Sequence, residues 1–584
     1  MSQRYFEEEM RYLQEAATVF AEAHPEQAGM LNVDSVSDRD PYVERLFEGF
    51  AFLSGRVHER LDNEMPEYTE SLFQLLHPHF LKPVPALSIV EFAPEPGLVQ
   101  ETTVLERGLE VRSEPVGDEN VSCRFTTTQD VRVQPIQLTK APLAGGQGNT
   151  SSVRLHFDVD RGVDVEALTL SPLRLYFHAD AATASTMHRF FTRHVSHIEI
   201  APASGSSTAL RGQKWVQPVG MDEDQALLPF SEGAFSSLRL LQEYLCFRRK
   251  FWFVDLFGID RAAMGEEVEG FDVEVFFDAS YPEERQFEAQ NLRLHCTPVV
   301  NLFEDDAEPI HIHGEVGEHR VVPRVDATDS VEAYDVTSVV GIEDKTGTEH
   351  EYSRFFQFQH DAGEEQDRFY TTSRRIGPTD HPSIYLSLGD AHLRALRDVP
   401  AETLSVEVRC TNGTLPREAL TEGMITRLPS DVPDVVDPQN LTQPTLRRTP
   451  PHQDEADFFW KLISHWSFNY QSVASREALL GLLRLYDWRD DKPNQRRLNG
   501  LRDVEWTPKD KVEDGAVIRG GEVTIEVEEG HFADEGDLCL FGLIMSRFLS
   551  SYATLNSFVH LQIITNPSEQ QYEWTPSRGS RPTL

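Results

Sequence analysis

In the first 85 residues apolar side chains recur at intervals of three and four. Tyr5, Phe6, Met10, Leu13, Ala17 and Phe20 draw one such stripe. Val43, Leu46, Phe47, Phe50, Leu53, Val57 and Leu61 draw another. This spacing predicts helices with one apolar face. Asp40-Pro41 suits the start of the second helix: proline at the first helical position loses no useful N–H, and Asp40 can cap free donors. Short helices of this kind are marginal alone in water. They must pack on other helices, in the same chain or in a partner, before the prolines at 78, 83 and 85 stop them.

Beyond residue 85 the period changes to two. Val153, Leu155, Phe157 and Val159 alternate with Ser152, Arg154, His156 and Asp158. Phe271, Val273, Val275 and Phe277 repeat the pattern, as do Leu404, Val406, Val408 and Cys410. Strict alternation predicts strands with one buried face, hence antiparallel sheets or sandwiches rather than a parallel core. One helix is expected near 235–247, with Leu238, Leu241 and Leu245 on a face. Six prolines from Pro429 to Pro451 predict a connector without regular structure over 427–453. Helices should return at 458–470, 475–486 and 538–552. Between and after them, Val523, Ile525 and Val527 mark one strand, and Val559, Leu561 and Ile563 another. Leu538, Phe541, Ile544 and Phe548 make an apolar stripe that serves equally as internal core or as a surface for a second copy. The fold class is therefore multidomain α+β: a helical segment over 1–85, β-rich domains over 86–300 and 301–430, a connector over 431–453 and a mixed helix and strand domain over 454–584.

Composition narrows the function. A chain of 584 residues is too long for one core and suggests roughly three or four domains. Its 96 acidic and 54 basic residues give a net charge of -42. Such a surface repels nucleic-acid phosphates and anionic lipid heads. It reads either as a solvated coat or as a match for basic partner faces. A mean hydropathy of -0.41 and the lack of a long uncharged apolar run argue against a membrane-spanning helix. The start, Met1-Ser2-Gln3-Arg4-Tyr5, carries charge at once and no apolar signal core, so a cytoplasmic location is expected. Five scattered cysteines without a C-x-x-C pair fit reduced thiols rather than a zinc ribbon.

Few residues suggest chemistry. Asp344-Lys345-Thr346-Gly347-Thr348 resembles the phosphorylation loop of P-type ATPases, whose aspartate attacks a phosphate. The continuation Glu349-His350 departs from that motif, and a charged turn between strands explains the same letters. His311 and His313 project to one face of a strand and could hold a metal with His319. A half-buried strand with wet-side histidines is the simpler reading, and His77 and His79 read the same way. Asp305-Asp306 is an ordinary pair in so acidic a chain. Phe251-Trp252-Phe253 could form a stacking platform, but its apolar surroundings favour a core strand. No G-x-S-x-G elbow and no Gly-Lys pair for a phosphate loop occurs.

The wording of the chain goes further than its periodicity. Tyr5-Phe6-Glu7-Glu8-Glu9-Met10-Arg11-Tyr12-Leu13, His24-Pro25, the stretch from Asp40 to Phe52 and Pro66-Glu67 resemble the opening signature of the TssF (VasA/ImpG) family. That family comprises baseplate subunits of the bacterial type VI secretion system. Phe251 to Leu256, Cys296-Thr297-Pro298-Val299-Val300-Asn301-Leu302-Phe303, Trp460 to Ser464, Phe468-Asn469-Tyr470, Leu485-Tyr486-Asp487, Phe541-Gly542 and Asn556-Ser557-Phe558 are similar to later blocks. Thr411-Asn412-Gly413 departs where the family often has Asn-Arg. The resemblance implies a non-catalytic subunit of the cytoplasmic baseplate, docked at the inner-membrane complex, with no cofactor and no metal. It implies wedges with TssG, TssE, TssK and a second TssF copy around the VgrG spike, which initiate the contractile sheath. It makes Tyr5, Phe6, Met10, Leu13, Phe20, Leu46, Phe47, Phe50 and Leu53 the candidate partner-binding residues. The competing class is a β-sandwich hydrolase or metal-binding enzyme using His311/His313 or Asp344.

Overall fold

A computed structural model describes residues 10–13, 17, 42, 45–54, 78–450 and 475–579, except 147, 203–205, 230–235, 263–268, 313–316, 325–329, 356–367, 377–381, 391–400, 431, 433–434, 489–490, 514–515 and 554–556. The chain divides into two compact units. One is Met1–Leu81 with Pro451–Trp460, and the other is Lys82–Pro450 with Lys461–Leu584. In the first unit, residues 10–13 and 45–54 are helical, as the three- and four-residue spacing predicts. Tyr5, Phe6, Phe20, Val43, Val57, Leu61 and the helix expected at 458–470 lie outside the described residues.

The second unit is built mainly from antiparallel sheets. A six-stranded sheet runs in the order Ile425–Arg427, Glu110–Val116, Val121–Thr127, Cys296–Val300, Leu87–Pro94 and Val436–Asn440. Its core includes Phe92, Val111, Phe125 and Val299, all fully buried. A second sheet centres on Ser151–Val159 paired with Gly270–Phe277. Here Val153, Leu155 and Phe157 are buried while Arg154 and Asp158 are exposed, as the alternation predicts. Two further sheets make a sandwich. Glu402–Thr411 pairs with Glu332–Glu343 in one, and Arg368–Ile376 pairs with Pro382–Asp390 in the other. Val406 and Val408 of the first share a core with Tyr370, Ile384 and Leu386 of the second.

Three features depart from the expectations. The proline-rich stretch is not irregular throughout: Val436–Asn440 is a strand, and its Pro438 lies opposite Phe92. That strand ends its sheet, and the sheet edge is the position that tolerates proline. The chain thus closes one sheet with strands that are more than 300 residues apart in sequence. Next, Ala516–Glu528 and Ser557–Asn566 pair in parallel, with the helix Glu535–Ser550 between them in sequence. A parallel pair needs such a crossover. Finally, a helix at Ala181–Arg193, beyond those expected, carries a short apolar stripe of Ala184, Met187, Phe190 and Phe191. Its buried face includes Thr183, Ser185, Thr186 and His188. Ser185 Oγ donates to the Ala181 carbonyl at 2.7 Å, and Thr186 Oγ1 donates to the Ala182 carbonyl at 2.9 Å. Hydroxyls satisfied within their own helix can be buried like apolar groups.

Candidate functional site

The wide apolar stripe of 45–54 is split in the folded chain. Ala51 is fully buried, and Phe47 and Ser54 are half-buried. One helical step around, Leu46 is 61% exposed, Phe50 60% and Leu53 62%. Positions 46, 50 and 53 follow the i, i+4, i+7 rule and lie on one face, in line with Tyr42, which is also exposed. Phe52, 47% exposed, lies about 120° further around the helix and is not part of this face. Large contiguous apolar faces are uncommon on monomeric soluble proteins. Of the other candidate residues, Met10 and Leu13 are half-buried. The candidate set thus divides: Leu46, Phe50 and Leu53 face outward, Phe47 is partly turned inward, and Tyr5, Phe6 and Phe20 are not described.

The second apolar stripe has the opposite fate. Leu538, Phe541, Ile544 and Phe548 are all at most 2% exposed. Asp534 caps their helix through the Asp537 N–H at 2.7 Å and also accepts the Ser185 hydroxyl at 3.0 Å. Gly536 lies against the backbone of Ser185, where an added Cβ would sit 2.4 Å from its carbonyl oxygen. Gly542 lies against the ring of Trp574. The stripe is internal core, so it offers no surface for a second copy.

Thr403 Oγ1 links two of the residues that suggested chemistry, His311 and Asp344, and the others are dispersed. Asp344 to Thr348 form an exposed turn joining Glu332–Glu343 to Glu349–Glu351. Gly347 takes φ +69° there, and its N–H reaches the Glu343 carbonyl at 2.8 Å. Asp344 accepts a hydrogen bond from Thr403 Oγ1 at 3.1 Å. His311 lies on an exposed strand position with Nδ1 2.9 Å from Thr403 Oγ1. His319 belongs to a different sheet, and His313 and His77 lie outside the described residues. His79 is buried in the turn Pro78–Leu81. Among the described residues no three His, Cys, Asp or Glu side chains gather to hold a metal. Phe251, Trp252 and Phe253 are buried core, not a platform.

The later motif blocks instead hold the fold together. Asn301 Nδ2 donates to Asn412 Oδ1 at 2.8 Å, and Asn301 Oδ1 accepts the Asn412 N–H at 2.8 Å. Thr411 Oγ1 adds a third bond to Asn301 Oδ1 at 2.8 Å. Both amides are buried, where each satisfied bond counts and each missing one costs. Gly413 follows at φ +59°, a backbone conformation that favours glycine. Periodicity gave no sign of two charged clusters. In one, the fully buried Lys250 pairs with Glu243, which Arg239 also approaches at 3.4 Å. Burial pulls the Lys250 ammonium down to about 8, although Glu243 favours its charged form. In the other, Asp335 bonds Lys82 Nζ at 2.6 Å and Arg409 at 2.8 and 2.6 Å. Burial alone would raise the Asp335 carboxyl, but these two cations outweigh it and hold it at about 2. Both clusters are structural ion pairs deep in the unit.

Residues 2–581 match the family described as "Type VI secretion system, TssF". The chain is 29% identical over 621 aligned positions to the type VI secretion system component TssF1 of Pseudomonas aeruginosa, covering 99% of each. It is also similar to a chain in the cryo-electron microscopy structure of the type VI TssK-TssF-TssG baseplate subcomplex, with a TM-score of 0.81 and 34% identity. That match covers 93% of this chain and 99% of the other. A chain in a structure of the type VI baseplate complex matches with a TM-score of 0.70 and 31% identity, covering 100% of both.

Proposed function

The chain belongs to the TssF family of type VI secretion components, and from that premise we propose a structural, non-catalytic role in the cytoplasmic baseplate. In this reading it builds wedges with TssG, TssE, TssK and a second copy of itself around the VgrG spike. One observation supports the role above others: the fold matches, end to end, chains solved within baseplate assemblies. No helix among the described residues is long and apolar enough to cross a membrane, which suits a subunit that reaches the membrane through others.

The outward Leu46-Phe50-Leu53 face is the contact we assign to a partner helix. Burying a large apolar side chain contributes about 1.5–3 kcal/mol. Three together can offset much of the entropy lost on association. The net charge of -42 favours a partner whose contact rim is basic. Leu538 and Phe541 offer nothing to the second copy, so its contact must lie elsewhere.

Co-expression with TssG and TssK tests the role. The expected result is one co-eluting complex whose mass, by light scattering, contains two copies of this chain. A stable complex with a single copy at micromolar concentration would remove the two-copy part. Failure to co-elute with either protein would remove the wedge itself.

A further inference from the structure

The ion pairs at Asp335 are the inner side of a larger cationic cluster whose outer side is open. The strand Glu332–Glu343 shifts register against Glu402–Thr411 twice, between Ala333 and Asp335 and between Val336 and Ser338. Such bulges leave ladder groups unpaired. Two arginines of the facing sheet serve them. Arg374 Nη2 donates to the Tyr334 carbonyl, and Arg354 Nη2 donates to the Val336 carbonyl.

That task uses one of the five N–H donors of each guanidinium. Among the described residues neither arginine is ion-paired, whereas Arg368 and Arg375 of the same sheet pair with Glu402 and Glu318. Both Arg354 and Arg374 are half-buried, and neither has a nitrogen that is at once buried and unpartnered. Their remaining donors therefore reach solvent. Lys82 stands close by. Burial lowers its ammonium, Asp335 opposes this, and the charges of Arg354 and Arg409 lower it further. Among the described residues, Lys82, Arg354, Arg374, Arg409 and Arg447 here face only Glu304, Glu332 and Asp335. The cations are in excess by two, within a chain whose net charge is -42. Half-buried charges without a counterion are unfavourable, and an anion from outside would balance them.

We propose that Arg354 and Arg374 together bind a doubly charged tetrahedral oxyanion, the chemistry shared by free phosphate and by the phosphoryl group of a nucleotide. Guanidinium donors match phosphate oxygens in pairs. The two carbonyls that hold these arginines are two residues apart on one strand, which sets the guanidiniums about 7 Å apart, a gap that one phosphate bridges. A carboxylate, with one charge, would leave half the excess unbalanced. The site is independent of the exposed helix face and of the baseplate role.

Isothermal titration calorimetry of the full chain with inorganic phosphate tests it, at fixed ionic strength so that screening stays constant, with nitrate as the singly charged control. The expected result is saturable binding of phosphate, at least tenfold tighter than nitrate and weakened at least tenfold in Arg374→Gln. Should that variant fail to fold for want of its bond to Tyr334, Arg354→Gln takes its place with the same expected loss. Arg375→Gln, next along the strand but paired with Glu318, should bind like wild type. Titration with AMP separates the sources: tighter binding than phosphate identifies a nucleotide phosphoryl group as occupant, and weaker binding identifies the free oxyanion. Absence of saturable phosphate binding by the wild type would overturn the proposal. So would equal binding by wild type and a folded Arg374 or Arg354 variant, an equal loss in Arg375→Gln, or nitrate bound as tightly as phosphate.

Discussion

The helices 45–54 and Glu535–Ser550 carry apolar stripes that look alike in sequence and end in opposite places. In the C-terminal helix Leu538, Phe541, Ile544 and Phe548 all vanish into the chain's own core, clamped by Gly536 on Ser185 and Gly542 on Trp574. In the N-terminal helix only the Ala51 side is covered, while Leu46, Phe50 and Leu53 stay in water. Hydrophobic periodicity reports that a face wants burial, not who buries it. What separates the two is the company each keeps. The C-terminal helix has small residues that admit a neighbour closely, a cap shared with Ser185, and a parallel strand pair to lie on. The 45–54 face has large side chains, and nothing lies within 4 Å of where a Cβ on its Gly49 would sit. One stripe builds the subunit, and the other is the one we propose for assembly.

The largest effect should come from breaking the covered side. Phe541→Ala removes a ring packed near Tyr244 and Phe532, at centroid distances of 6.3 and 5.6 Å. It should destabilise the isolated chain by about 3–5 kcal/mol in denaturant unfolding. Phe50→Ala, on the open side, should stay within about 0.5 kcal/mol in the same assay. Equal losses in the two variants would erase the contrast.

Acid sharpens the comparison next. His188 is fully buried in the helix that packs on Glu535–Ser550, and both its ring nitrogens lack partners. Burial lowers it to about 4 from the usual 6.5. Between those values the unfolded chain binds a proton that the folded chain refuses, so stability rises with pH across the window. The contribution is complete above pH 6.5 and lost as pH falls to 4, about 3 kcal/mol in all. Thermal melts from pH 7 to pH 4 should show this slope, and His188→Leu should flatten it. An unchanged slope in the variant would place the acid sensitivity elsewhere. The smallest effects belong to the surface residues that suggested chemistry. Asp344→Asn and His311→Ala should each change stability by less than about 0.5 kcal/mol and leave secretion near normal. Lost secretion with intact folding in either would count for the enzymatic reading.

The sheets were legible because alternation such as Leu404, Val406, Val408 and Cys410 leaves one face no other use. The Ala181–Arg193 helix is harder to read, because buried Thr and Ser residues that satisfy themselves on their own backbone break up its short stripe of Ala184, Met187, Phe190 and Phe191. The Val436–Asn440 strand was hidden by Pro438, which only an edge position could accept. Of the candidate face, the helix and its stripe could be read, but not the split between Phe47 and Phe50, since both fit the same spacing. The Asn301–Asn412 link joins two motif blocks 111 positions apart, a contact that no local pattern encodes.

The proposed assembly face is one that the chain itself leaves exposed at Leu46, Phe50 and Leu53. The double variant Leu46→Asp and Phe50→Asp tests that directly, read in two ways: the thermal melt of the isolated chain, and capture of TssG and TssK. The predicted result is an unchanged melt with capture reduced at least tenfold. A collapsed melt in the isolated chain, or undiminished capture, would contradict it.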